Sequence, residues 1–200
     1  YMKQFILILL LGLTGLSMAQ QFTGGLKAGL AVSQIAGDGF SGFNKAGFYG
    51  GAYLQFHLNP NVSLQMDLAY IQKGSAQHAE PETGVPQYLL QLDYVELPLV
   101  FQYHLLHLTF EAGISFDFLA VQNEEINYQL NDQGDVWRGM NLASVFGIQY
   151  HFTERWAASL RTVNSVQSIR KNSVPLNVRR YGRNYGAFND VLTFGICYKL

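Results

Sequence analysis

Ionisable side chains are few in this 200-residue chain, and most lie between apolar or small residues. Four of them are of types that could form one catalytic or ion-binding site. They are Asp67, Glu96, Glu111 and Arg161. Two carboxylates at one site can act as a general acid and a general base, or can line a gated polar pathway. The same residues could instead form a buried ion-pair network, because an unpaired buried charge is costly. The elements that carry them decide between these possibilities.

Histidine and cysteine offer a second source of chemistry. Among the five histidines, His78 lies close to Glu80 and Glu82, but their spacing matches no strong zinc signature and is typical of a solvated loop. Cys197 is the single cysteine, so it cannot form an internal disulfide, and we expect it to pack as a small side chain. These patterns predict no catalytic residue, no metal and no cofactor.

The elements around these residues follow a period of two. Apolar residues alternate with small or polar residues in eight segments: residues 26–33, 48–58, 62–70, 94–105, 108–118, 140–150, 156–162 and 192–200. This period predicts β-strands, and most reach the roughly 9–11 residues that a tilted transmembrane strand needs. Their number is even, as single-chain bacterial barrels require. After Gln21 no segment is long and apolar enough for a membrane helix.

Composition and the two strand faces indicate which side meets lipid. Only 14% of residues are charged, against about 25% in typical soluble domains, and the apolar faces carry no Asp, Glu, Lys or Arg. A charge that faces lipid at mid-depth costs about 2–4 kcal/mol, whereas a lipocalin-like soluble barrel has a solvated exterior. The other faces carry small neutral residues that fit a narrow lumen. The sequence therefore predicts an all-β fold, an eight-stranded antiparallel up-and-down transmembrane β-barrel with a filled polar lumen.

This fold gives the ionisable residues a common location. The lumen-facing positions include Asp67, Glu96, Glu111 and Arg161, together with Lys27, Lys45 and Lys199. Eight strands leave little room for a substrate, so we interpret the first four as a structural ion-pair network that plugs the barrel rather than as a catalytic site. Pro98 cannot donate to a strand ladder, and its position inside a strand predicts a bulge.

The start of the chain resembles a secretion signal. Lys3 precedes an apolar run from Phe5 to Leu16, and Ser17-Met18-Ala19 provides small residues for a cleavage site. The apolar run has about twelve residues, too few to span a bilayer. We therefore predict a cleaved signal peptide over residues 1–19 and an outer-membrane barrel domain over residues 20–200.

Short and long connections alternate between the predicted strands. The connections near residues 59–61, 106–107 and 153–155 are short, and those over residues 36–44, 73–88, 122–138 and 164–188 are long and polar. Outer-membrane barrels have short periplasmic turns and longer extracellular loops, so we expect the four long loops at the cell surface. The periplasmic end then contains four histidines: His57, His104, His107 and His151.

The fourth long loop is basic. Its five positive residues are Arg170, Lys171, Arg179, Arg180 and Arg183. Cationic side chains bind phosphate oxygens strongly, so this loop could contact the phosphates of lipopolysaccharide or an acidic partner protein. A solvated basic loop without any partner explains the same residues, and acidic residues of the second and third loops could pair with part of its charge.

One stretch of the fourth predicted strand resembles a known family. Residues 92–99, Leu-Asp-Tyr-Val-Glu-Leu-Pro-Leu, are similar to the LDYLEIPL signature of the PorT-like outer-membrane β-barrel family, which is common in Bacteroidota. A Gly-rich first hairpin before this stretch and Glu111-Ala112-Gly113 after it also fit. The resemblance covers the whole mature chain and implies a small barrel without known catalysis in a Gram-negative outer membrane. The namesake is associated with the type IX secretion machinery, so the resemblance also implies a secretion-accessory role.

Together these features lead us to expect a non-catalytic outer-membrane protein that acts through its extracellular loops, in a structural, adhesion or secretion-accessory role. We expect contacts with outer-membrane lipid, with lipopolysaccharide and with a protein partner, either the secretion machinery or a surface ligand. The net charge of −1 gives no reason to expect nucleic acid, and we expect a monomer. A small-solute pore and a rim-located outer-membrane enzyme are the alternatives.

Overall fold

The computed structural model describes residues 21–37, 42–77, 79, 87–130, 136–171, 178–180 and 184–200, with the backbone only for residues 179, 184 and 185. The predicted signal peptide lies outside the described residues. Within them, eight long strands follow one another: β1 Phe22–Ala36, β2 Lys45–Asn59, β3 Val62–Gln77, β4 Tyr88–Leu105, β5 Leu108–Ile126, β6 Met140–His151, β7 Trp156–Ser165 and β8 Phe188–Lys199. The connections contain short strands at Gln129–Leu130, Arg179–Arg180 and Asn184–Tyr185. No described segment is a helix of the length and apolarity needed to cross a membrane.

The eight long strands form one closed antiparallel barrel. Each strand pairs with the next one along the chain, and β1 pairs with β8, for example at Leu30 and Phe194. Closure gives the first and last strands hydrogen-bonding partners, so that backbone polar groups within the hydrocarbon region are satisfied by the protein itself. The predicted eight-stranded up-and-down barrel is confirmed.

Successive side chains along each strand point alternately outward and inward. In β1, Leu30 is 66% exposed and Ala31 is fully buried, and in β8, Phe194 is 51% exposed and Thr193 is 3% exposed. Bulky apolar side chains therefore form the outer surface, and small or polar ones fill the lumen. This arrangement suits a lipid-facing exterior, where charges are destabilising.

The register of β4 differs from the prediction at one point. Pro98 does not form a bulge, because β3 and β4 keep a single register on both sides of it. The irregularity lies instead between Asp93 and Tyr94, opposite β5. The extra residue is Ala120 of β5, so the parity of β4 is unchanged, and Leu92 and Tyr94 are buried in the lumen on the same face as Glu96. Asp93 accepts a hydrogen bond of 2.5 Å from the hydroxyl of the outward-facing Tyr70.

Most strands extend beyond the predicted alternating segments, and two of them extend furthest into the predicted loops. β3 continues to Gln77 and β5 continues to Ile126, so the first residues of two predicted loops belong to strands. Lys73 is therefore a strand residue that faces the lumen and is fully buried. We call the end of the barrel with the short connections after β2, β4 and β6 the turn end. We call the end with the long connections after β1, β3, β5 and β7 the loop end.

Glycines on the lumen face make room for two tyrosine rings. A Cβ atom at Gly195 would lie 1.9 Å from Tyr49 Oη, and one at Gly25 would lie 2.2 Å from Tyr53 Cζ. These distances are far below van der Waals contact, so the rings fill space that any other residue at these positions would need. The lumen is a packed interior rather than an open channel, as expected for a barrel of this size.

Candidate functional site in the lumen and at its two ends

Three of the four predicted lumen residues meet at mid-barrel. Arg161 Nη1 donates to Asp67 Oδ2 at 2.5 Å, and Arg161 Nε and Nη2 donate to the two oxygens of Glu111 at 2.5 and 2.9 Å. Lys27 also pairs with Asp67. These four residues, which we call the Arg161 layer, are each at most 6% exposed. They carry two positive and two negative charges, so the layer is neutral.

Glutamines complete the hydrogen bonding of the Arg161 layer. Gln65 donates to Asp67 Oδ1 at 2.6 Å, and Gln102 donates to Glu111 Oε1 at 2.6 Å. Gln149 donates to the same Glu111 oxygen. All four carboxylate oxygens therefore accept hydrogen bonds from fixed protein donors, which is the condition under which buried ion pairs are tolerated.

The fourth predicted residue, Glu96, lies in a separate cluster nearer the loop end. It pairs with Lys73, whose Nζ atom also donates to Asp117 Oδ2 at 2.8 Å. Ser115 donates to the other Asp117 oxygen at 2.5 Å. We call Lys73, Glu96 and Asp117 the Lys73 layer. Sequence reasoning missed Lys73 because it was assigned to a loop, whereas Asp117 has the same strand parity as Glu111 and could have been included.

Towards the loop end, buried apolar side chains pack around and beyond the Lys73 layer. This region, which we call the apolar plug, consists of buried side chains from strands and loops: Ile35, Ile71, Leu90, Leu92, Trp137, Ile169 and Val191. The filled polar lumen that the sequence predicted thus occupies the part towards the turn end, and an apolar cluster completes the filling. Trp137 and Ile169 come from long loops, where alternation gives no signal for burial.

Backbone hydrogen bonds tie the third and fourth long loops together across the plug. Arg138 N donates to Ile169 O at 2.8 Å, and Lys171 N donates to Val136 O at 2.9 Å. These bonds flank an antiparallel bridge between Trp137 and Arg170. The start of the fourth loop is also bonded to its last residue before β8, because Ile169 N donates to Ala187 O at 2.9 Å.

The basic residues of the fourth loop divide into different environments. Arg180 forms a two-pronged ion pair with Asp190 at 2.6 and 2.7 Å and lies 4.9 Å from the centre of the Phe188 ring. Arg170 lies 5.3 Å from the centre of the Trp137 ring, and Lys171 is exposed. The other two predicted members, Arg183 and the side chain of Arg179, lie outside the described residues.

At the turn end, the lumen opens into a cavity of about 530 Å³. Its wall contains His57, His104, His151, Cys197 and Lys199, and we call this cavity the vestibule. Its histidines lie beside the short turns, where the sequence placed them. Lys45, also predicted to face the lumen, lies at the opposite end, at the start of β2.

Metal ligands show no clustering in the part of the chain that the structure describes. No group of three or more His, Cys, Asp or Glu side chains there is arranged to hold a metal ion. The sequence group of His78, Glu80 and Glu82 lies outside the described residues.

Two solved structures share this architecture. The attachment invasion locus protein Ail of Yersinia pestis superimposes with a TM-score of 0.51 at 12% identity, covering 90% of this chain and 99% of Ail. Neisserial surface protein A superimposes with a TM-score of 0.53 at 10% identity, covering 88% of this chain and 97% of that protein. At such identities the likeness concerns the fold. No curated protein matches the sequence significantly.

The sequence itself gives the family. Residues 18–170 match the family described as outer membrane protein beta-barrel domain. The match covers most of the chain and agrees with the closed eight-stranded barrel and its apolar exterior. The chain therefore belongs to the outer membrane protein β-barrel domain family, and it is located in the outer membrane.

Proposed function

We propose that this protein is a non-catalytic, non-conducting barrel that acts through its loop end, in a structural, adhesion or secretion-accessory role. The observation that carries the proposal is the closure of the lumen by the Arg161 layer, the Lys73 layer and the apolar plug. A barrel without a continuous aqueous path acts through the surfaces that it presents. In barrels of this kind the long loops face the outside of the cell.

The same geometry argues against catalysis in the lumen. General acid–base work needs a carboxylate within hydrogen-bond reach of a reacting group, but Asp67 and Glu111 already accept bonds from arginine, lysine and glutamine. Four histidines lie at the turn end, away from the rim that would face substrates in the outer leaflet: His57, His104, His107 and His151. A rim-located enzyme is therefore the weaker alternative.

Within this function, the basic loop is the candidate contact for lipopolysaccharide phosphates or for an acidic protein. Lys171 is exposed at the loop end, and the guanidinium of Arg170 lies over the Trp137 ring, 5.3 Å from its centre. Arg179 and Arg183 belong to the same candidate set by sequence. Arg180 has a different role, because its pair with Asp190 holds the loop against β8.

The resemblance of residues 92–99 to the PorT-like family supports a secretion-accessory role as the finer form of the proposal. Deletion of the gene tests it through the proteins found in the culture medium. An altered set of secreted proteins, restored by the intact gene, supports this role. An unaltered set leaves the structural or adhesion roles and removes the secretion role.

Conductance in planar bilayers tests the closed lumen directly. We expect purified protein to insert without producing steady channels. The Arg161→Ala variant is the matched probe of the barrel interior, and Arg155→Ala at the turn end is its control. Steady channels in the unaltered protein whose conductance changes in Arg161→Ala, but not in Arg155→Ala, would establish the small-solute pore and overturn the proposal.

A further inference from the structure

The vestibule is a second polar site, which the proposed loop-end function does not use. We propose that it binds a small oxyanion, either a carboxylate or a phosphate. Lys199 is the charged partner in this site, and the imidazole of His57 gives the anion its orientation. The site lies at the opposite end of the barrel from the loops, so it stands or falls independently of the loop-end function.

The charge of the vestibule favours an anion. Its charged lining residues are Lys199, Arg155 and Glu154. None of the ion pairs among the described residues involves them. Arg155 and Glu154 are adjacent in the last turn and offset each other, so Lys199 supplies the remaining charge among the side chains that line the cavity. The carboxylates below the cavity are already paired within the neutral Arg161 layer. A concave site with net positive charge concentrates anions.

Hydrogen bonding leaves the Nδ1 atoms of two imidazoles without a partner, and that of His57 can face an acceptor. His57 Nε2 lies 3.1 Å from Thr23 Oγ1, and His151 Nε2 lies 3.0 Å from Thr109 Oγ1. Among the described residues, no hydrogen bond reaches Nδ1 of either ring. A neutral imidazole carries a single N–H. Where the hydroxyl of Thr23 donates to Nε2 of His57, the N–H of that ring is on Nδ1 and can donate to an oxyanion.

His104 has a different role, which fixes the geometry of the site. Its Nε2 lies 2.7 Å from Ser63 Oγ and its Nδ1 lies 2.8 Å from Thr109 Oγ1. Both nitrogens are therefore used within the protein. Ser63 donates its hydroxyl proton to Gln102 Oε1 at 3.0 Å, so His104 Nε2 donates to Ser63 and Thr109 donates to His104 Nδ1. His151 Nε2 therefore donates to Thr109, and the Nδ1 atom of neutral His151 carries no proton.

The size of the vestibule matches a small ligand. Its volume of about 530 Å³ lies within the range of about 300–1,000 Å³ that is usual for small-molecule sites. Two sources of an oxyanion reach this end of the barrel: a free periplasmic anion, and the phosphate of a lipid headgroup at the membrane surface. Cys197 lies in the wall of the cavity, so alkylation of this single cysteine reports whether the cavity is occupied.

The test measures the alkylation rate of Cys197 by iodoacetamide in the full barrel. The barrel is reconstituted in phosphatidylcholine nanodiscs, and inorganic phosphate is titrated against chloride at equal ionic strength. We expect phosphate to slow alkylation saturably and to shift the imidazole nuclear magnetic resonances of His57. Lys199→Gln should weaken this protection at least about tenfold, the effect of losing one charge-assisted hydrogen bond. Lys45→Gln removes the same charge at the loop end and should leave it unchanged.

A parallel series in nanodiscs that contain phosphatidylglycerol separates the two sources of the anion. Protection of Cys197 without added phosphate, lost in Lys199→Gln, identifies the lipid headgroup as the ligand. Protection that needs free phosphate identifies a soluble anion. An alkylation rate that neither added phosphate nor phosphatidylglycerol changes would overturn the proposal. Protection of Cys197 that persists equally in Lys199→Gln would also overturn it.

Discussion

Replacement of Arg161 by methionine is the sharpest test of the closed lumen. Arg161 makes three charge-assisted hydrogen bonds to Asp67 and Glu111, and all three residues are almost completely buried. Methionine keeps most of the side-chain volume but removes the charge. Asp67 retains Lys27 in the variant, whereas Glu111 is left with glutamine donors only. Breaking a buried ion pair on one side costs about 3–5 kcal/mol, and we expect that loss in the free energy of unfolding.

The Glu111→Gln variant makes the reasoning quantitative. Alone it leaves Arg161 paired with Asp67 and should cost about 1.5–3 kcal/mol, the value of hydrogen bonds to a charged group. Combined with Arg161→Met, it removes both partners and leaves the neutral pair of Lys27 with Asp67. The double variant should therefore cost about 2 kcal/mol less than the sum of the single variants, a coupling within the usual range for residues in contact.

Urea unfolding in phosphatidylcholine vesicles, followed by tryptophan fluorescence, measures these energies. Trp137 is 5% exposed in the plug and Trp156 is 44% exposed at the turn end, so the fluorescence signal follows unfolding at both ends of the barrel. Arg155→Met is the matched control and should change stability by no more than about 0.5 kcal/mol, as surface substitutions usually do. An Arg161→Met cost below about 1 kcal/mol, or strict additivity in the double variant, would refute the view that a buried, coupled charge layer closes the lumen.

Three further substitutions test other parts of the structure. Gly147→Ala places a Cβ atom 2.7 Å from Arg161 Cγ and should lower the unfolding free energy by about 1–3 kcal/mol, measured by the same urea titration. Arg180→Met removes the pair with Asp190 and should accelerate amide exchange at the end of β7 and the start of β8, while global stability falls by no more than about 1 kcal/mol. Trp137→Ala should cost about 3 kcal/mol through the cavity that it leaves in the plug. It should produce no steady conductance, because both ion-pair layers remain.

Strand parity could be predicted from the sequence because lipid imposes a strict rule on one face of each strand. A single charge on that face would be costly, so residues such as Leu30 and Phe194 identify the outer surface unambiguously. Once that face is known, Asp67, Glu111 and Arg161 must point inward, and their meeting at mid-barrel follows from the register of neighbouring strands. The resemblance of residues 92–99 to the PorT-like family also implied an outer-membrane location. The match of residues 18–170 to the outer membrane protein β-barrel domain family confirms that location, and the PorT-like assignment stays a prediction.

The features that escaped prediction lie where the lipid rule no longer applies. Above the membrane both faces of a strand tolerate polar residues, so Lys73 was assigned to a loop although β3 continues past it. The plug depends on contacts between residues distant in sequence, and Trp137 in a polar loop carries no local sign that it is buried. Pro98 lacks a ladder donor, yet β4 tolerates it without a change of register, and the bulge at Ala120 of β5, opposite Asp93 and Tyr94, has no comparable local marker.

The unequal lengths of the strands have a consequence for what the barrel can touch. β7 has 10 residues and β5 has 19. At about 3.4 Å per residue and a tilt of about 40°, these strands rise about 26 Å and about 50 Å. A bilayer measures about 40–45 Å with its headgroups. The loop-end rim is therefore slanted. Its low side, from which the basic loop departs after β7, starts near the level of the lipid phosphates, and its high side, where the start of β4 pairs with the end of β5, stands clear of the membrane. A large soluble partner meets this high side first, whereas a ligand lying in the membrane surface meets the basic loop.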